Sequence, residues 1–170
     1  MVNDSIGPIA RKVRELVLYY AYHPDSSSAH WHKHSSMAGM CAISSVFLQS
    51  KLLEAGVTGV EVVRGHFRLD NGILSNHTWL EIPEESLVID ITACQFKWNV
   101  DLPIPDVLIT PRLSFLGLRY VNGKAGTASI RNLFAFWLTD QHPWGRFNGV
   151  NHQDWLSKAW STYPELALAA

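Results

Sequence analysis

The chain of 170 residues has little cysteine, little charge of either sign and no long apolar run. Its two cysteines, Cys41 and Cys94, make no disulfide framework, so free thiols and a reducing, cytoplasmic setting are expected. No stretch reaches the length of a membrane span, which argues against a membrane partner. The opening "MVNDSIGPIARKV" has neither the apolar stretch nor the small-residue cleavage site of a secretory signal. Export without a cleavable signal, as for an effector, stays open. Lys and Arg number 14 against 15 Asp and Glu, with no basic stripe, so nucleic acid is not expected as the main partner. Neither repeats nor low-complexity tracts divide the chain, which reads as one domain over 1–170. What is abundant is apolar: 47% hydrophobic residues, with seven Trp and five Tyr, enough for a core and for a groove.

The hydrophobic period changes along the chain. "PIARKVRELVLYYAY" (8–22) reads as a helix, with Pro8 in its first turn and a stripe of Val13, Leu16, Val17 and Tyr20. A polar loop "HPDSSSAHWHKHSS" follows. "MAGMCAISSVFLQSKLLEAG" (37–56) reads as a second helix with Cys41 in its first turn, Ile43, Val46, Phe47 and Leu53 at helical spacing, and Gly56 as its stop. "VTGVEVVRGHFRL", "HTWLEI" and "LVIDIT" then read as strands of an antiparallel meander, the first pair joined near "DNG". "DLPIPDVLITPRL", with its prolines, reads as an extended wrap. "TASIRNLFAFWLTDQ" and "HQDWLSKAWSTY" read as helices. The expected class is α+β, with N-terminal helices packed on an antiparallel sheet.

Three ionisable residues fall where such a fold would not put them for packing alone. Cys41 starts a helix, His77 heads one strand and Asp90 lies inside the next. Singly, each has a structural reading: a small core thiol, a satisfied edge imidazole, a turn-side carboxylate. Together their order suits nucleophilic catalysis. A thiol in a first helical turn feels the positive end of the macrodipole, which favours thiolate. An adjacent imidazole holds the ion pair and later protonates the leaving group. A carboxylate on the far ring nitrogen fixes the tautomer. Backbone amides at the helix start can hold an oxyanion.

"GMCAISSVFLQSKLLEAGV", "NHTWLEI" and "VIDITACQF", within residues 36–96, resemble the papain-like, transglutaminase-like cysteine enzyme superfamily. "VIDIT" followed by "QF" is similar to the "IDPT..QF" signature of bacterial members, including effector domains that deamidate glutamine. The helix and "HxW" pattern is similar to the leader peptidases of lasso-peptide biosynthesis. The resemblance implies a papain-like fold and a thiol hydrolase acting on an amide of a peptide or protein, by proteolysis or glutamine deamidation. It implies Cys41 as nucleophile, His77 as base and acid, and Asp90 as the group orienting it, with no cofactor. Two positions depart from the pattern. Ile91 stands where many relatives have Pro, and Ser35 stands six residues before the cysteine, where papain carries its oxyanion glutamine. The side-chain oxyanion donor is therefore open.

Further residues could line the site. Gln95, just past the aspartate strand, could donate to the oxyanion or simply bond its own loop. Trp79 shares a strand face with His77, as a shield for the His–Asp bond or as core, and with Gln95 and Ser35 it is a candidate for substrate binding. Cys94 has no base in view and reads as a spectator. His30, His32 and His34 would share one side of an extended loop, a geometry that can bind zinc. No cysteine or carboxylate at ligand spacing accompanies them, so a groove rim is preferred and no metal is expected. "HPWGRFNG" (142–149) could form the opposite rim or pack the C-terminus. Two other outcomes compete with hydrolysis: acyl transfer or transglutamination, which needs an acceptor pocket, and a non-catalytic protein-binding module. Arylamine acetyltransferases share the triad order but begin with an "RGG.C" motif absent here.

Overall fold

The computed structural model describes residues 4–22, 40–125, 146–147, 150–151 and 157–161. Helix α1 (Ile6–Tyr22) turns Ile6, Ala10, Val13, Leu16 and Val17 fully into the core. These positions recur at three and four residues, the spacing that keeps them on one face. The side chain of Tyr20, expected in that stripe, is outside the described set. Helix α2 (Cys41–Glu54) buries Phe47, Leu48 and Leu52. Leu53, expected inward, is exposed, because the packed face runs through Leu48 and Leu52 instead. The helix stops in a Schellman arrangement. Gly56 takes a left-handed φ of 82° and donates to Leu53 O at 3.0 Å, while Val57 donates to Leu52 O at 2.9 Å.

Three polar residues of α2 are buried, and each finds a backbone carbonyl. Ser44 Oγ donates to Met40 O at 2.7 Å, Ser45 Oγ to Thr78 O at 3.2 Å, and Gln49 Nε2 to Val60 O at 2.7 Å. A buried polar group without such a partner would cost about 1–3 kcal/mol. The Ser45 and Gln49 bonds pin the helix to the sheet; Ser44 back-bonds its own first turn.

The sheet holds β1 (Glu61–Arg68), β2 (Leu74–Ile82), β3 (Leu87–Asp90), β4 (Leu108–Pro111) and β5 (Tyr120–Ala125) in the order β4-β3-β2-β1-β5. All its pairs are antiparallel. The expected meander is present as β1 to β3. The segment expected as a wrap contributes β4, and β5, which the sequence pattern did not suggest, crosses to the free side of β1. Pro111 closes β4 at the sheet edge, where its missing N–H does no harm.

Both faces of the sheet are covered. On one, Val62, Leu80, Ile82, Leu87 and Ile89 meet the helices. On the other, Val63, Phe67, Trp79, Val88, Phe96, Leu108 and Tyr120 form a second, largely aromatic cluster. Trp79 sets the shape of that face. A Cβ on Gly65 would lie 2.7 Å from its indole, and one on Gly123 would lie 2.9 Å from it. Glycine at both positions lets the ring lie flat against the strands.

Residues 146–147 and 150–151 form a small antiparallel pair, β6 with β7. Residues 157–161 are helical; Trp160 packs edge-on to Phe47 and carries Lys12 Nζ 4.0 Å from its ring centre. The helix expected over 127–141 lies outside the described residues. Among the described residues no helix is long and apolar enough to cross a membrane.

Candidate active site

Asp90 ends β3, buried, and its carboxylate is fully engaged. Oδ1 accepts from the Thr92 N–H at 2.7 Å and the Thr92 hydroxyl at 2.8 Å. Oδ2 accepts from the Tyr120 hydroxyl at 2.8 Å and faces His77 Nε2 at 2.6 Å. A carboxylate offers about four acceptor sites, so none is left over. Burial raises the carboxyl pKa, but the charge and hydrogen bond of His77, with Thr92 and Tyr120, bring it below its ordinary value. Asp90 therefore stays ionised, and the proton between the two residues belongs on Nε2 of His77.

His77 is walled by rings. Trp79 lies stacked at 6.1 Å, Phe96 edge-on at 4.9 Å, and Phe67 edge-on at 6.4 Å. That wall removes water from the His–Asp contact and strengthens it. Burial disfavours the imidazolium, but the Asp90 charge and hydrogen bond, helped by Cys41, raise the pKa of His77 to about 10.

Cys41 is the first residue of α2 and keeps some exposure. Its position follows from a gap in the sheet. The β2–β3 ladder ends at Leu80↔Ile89. Thr78, two residues further along the same side of β2, has no β3 partner for its backbone. Helix α2 lies against this stretch: Ser45 Oγ donates to the Thr78 carbonyl at 3.2 Å, and the Thr78 amide helps lower the Cys41 thiol pKa. His77, whose Nε2 is taken by Asp90, lies close enough to act on the thiol as well. Burial pushes the Cys41 thiol up and Asp90 adds a smaller push. The His77 hydrogen bond and charge, with the Thr78 amide, outweigh both and hold it below the free-thiol value. Among the described residues no side-chain hydrogen bond caps the start of this helix.

The structure thus brings Cys41, His77 and Asp90 together in a line. Gln95, on the short helical turn Ala93–Phe96, bonds Thr92 O through Nε2 at 3.0 Å, and the same nitrogen lies 3.3 Å from His77 Nδ1. It both braces its loop and stands at the Nδ1 edge of His77. Trp79 is wholly buried, a packing partner of His77 rather than a surface for substrate; its Nε1 donates to Glu81 at 2.7 Å. Cys94 lies 3.4 Å from a guanidinium nitrogen of Arg14, which also donates to Ile91 O and so ties α1 to the turn after Asp90. Ser35 and the histidines His30, His32 and His34 lie outside the described residues. Among the described residues no cluster of His, Cys, Asp or Glu could hold a metal.

Sequence reasoning missed three contributors. Thr92 was in view: a threonine two residues after an aspartate is a local side-chain-to-backbone turn. Tyr120 is 30 residues from Asp90 and carried no local sign. The Thr78 contribution is a backbone group, which no side-chain pattern reveals. Comparison with family models, curated proteins and solved structures gives no match to this chain.

Proposed function

We propose that the chain is a thiol hydrolase of papain-like, transglutaminase-like fold, attacking an amide carbonyl of a peptide bond or glutamine side chain through a thioester on Cys41. The supporting observation is the buried His77, with Asp90 on Nε2 at 2.6 Å and the Cys41 thiol near enough that His77 holds its pKa down.

The Cys41 thiolate attacks the carbonyl carbon, forming the C–S bond and moving the C=O pair onto oxygen. The first N–H groups of α2, which no described side chain caps, and Gln95 Nε2, 3.3 Å from His77 Nδ1, are the donors we assign to that oxyanion. The intermediate collapses with cleavage of the C–N bond, and His77 Nδ1–H gives its proton to the departing nitrogen. Neutral His77 then takes a proton from water as the water attacks the thioester. The acid leaves, and the thiolate–imidazolium pair is restored. Throughout, Asp90 holds the ring and balances its charge.

The test uses p-nitrophenyl acetate as acyl donor, with the Cys41 and Cys94 peptides followed by mass. Cys41 is expected to acetylate faster than Cys94 and to lose the acetyl group to water, with both steps slowed in His77→Ala. Acetylation of the two cysteines at equal rates, insensitive to His77, would contradict the proposal.

A further inference from the structure

We propose that Tyr120 is a positioning residue that sets the acid strength of His77, because its hydroxyl donates to the carboxylate oxygen of Asp90 that faces His77. This rests on reading His77 as the proton carrier.

The placement of Tyr120 is over-determined. It opens β5 opposite Phe67, packs edge-on to that ring at 5.2 Å and tilted on Trp79 at 5.0 Å. Arg112 Nη2 holds its carbonyl at 2.6 Å. The ring is fully buried, so the hydroxyl has a fixed direction, and that direction is Asp90 Oδ2 at 2.8 Å. Packing alone would be served by phenylalanine.

Two donors on one oxygen share its charge. Thr92 occupies Oδ1, so Oδ2 is where Asp90 meets His77, and among the described residues only Tyr120 competes there. Take the hydroxyl away and the full charge of Oδ2 falls on His77 Nε2–H. The imidazolium then holds its proton more tightly and gives it up more slowly to a leaving amine. Tyr120 keeps its own proton. Burial and the neighbouring Asp90 charge raise the phenol well above its ordinary value, against a smaller pull from Arg112, so it remains a donor. Among the described residues, the titratable groups against His77 are Asp90 from β3, Cys41 from α2 and Tyr120 from β5. Glu81, near on β2, is occupied by the Trp79 indole and Arg112.

The test is the titration of His77 followed by nitrogen-15 NMR, in the native chain and again in Cys41→Ala. The second background removes any dependence on thiol chemistry, so a failure here is separable from a failure of the hydrolase reading. Tyr120→Phe should raise the His77 midpoint by about one pH unit, the worth of one hydrogen bond to a charged group. Thr92→Val, which strips a donor from the other oxygen, should raise it less. Site-specific 3-fluorotyrosine at 120, a stronger donor of the same shape, should lower it, and this arm stands even if Tyr120→Phe fails to fold. An unchanged midpoint with 3-fluorotyrosine, or equal shifts from Tyr120→Phe and Thr92→Val, would make Tyr120 a packing residue only.

Discussion

Removing the Cys41 sulfur should expose a pH dependence of stability that the intact pair conceals. A group with a raised folded pKa gives stability that is full below its unfolded value and is lost as pH rises to the folded one. For His77 that window runs from 6.5 to about 10. Cys41 is the opposite case. Its folded pKa is lowered from 9.0, so its contribution grows as pH rises through the interval below 9.0. Where the two windows overlap, the folded state binds one extra proton on His77 and one fewer on Cys41. The net difference from the unfolded chain is near zero, and stability should be flat. In Cys41→Ala the compensation is gone, while Asp90, the larger source of the His77 shift, remains. Stability should then fall by up to about 1.4 kcal/mol per pH unit. Between pH 7 and 9 that amounts to roughly 2–3 kcal/mol, or on the order of 1–2 M in the urea midpoint. Urea unfolding of both proteins across this range, under reductant, reads the difference directly, and contributions from all other groups cancel in it. Parallel profiles for the two proteins would refute the reasoning, because they would mean that no thiolate–imidazolium pair exists in the fold.

Asp90→Asn should cost about 3–5 kcal/mol by urea unfolding at neutral pH, the usual penalty for breaking a buried pair from one side. It should also lower the His77 midpoint by NMR, and a midpoint unmoved from the native value would assign that shift elsewhere. Gly65→Ala should destabilise by about 1–3 kcal/mol, since the new methyl meets both the Trp79 indole and the Val121 carbonyl at 2.7 Å. Calorimetry should show a lower Tm, and a neutral effect would mean that the indole and the β5 backbone both give way freely.

The legible parts of the fold were those where period and position coincide. Val13, Leu16 and Val17 mark the buried face of α1, and Gly56 marks the end of α2. The strands around His77 and Asp90 are apolar on both sides, and they lie centrally in the sheet. β4 was hidden because its four residues end at Pro111 between loops. β5 was hidden because it carries an irregularity at Asn122–Gly123, with Asn122 at φ 55°, and is mostly exposed, so no alternation survives. The same strand delivers Tyr120, which explains why a contact central to the site had no sequence sign. Leu53 misled for a simpler reason: it and Leu52 are adjacent, and only packing decides which of the two turns inward.

The most direct measurement of the central claim is the rate of Cys41 alkylation by iodoacetamide against pH. Peptide mass gives the rate, Cys94 serves as internal reference and His77→Ala as control. A thiolate paired with His77 should alkylate well below the free-thiol pKa of about 8.5 and lose that advantage without the imidazole. Labelling that tracks an ordinary thiol, whether or not His77 is present, would contradict it and leave a protein-binding module on this fold as the reading to pursue.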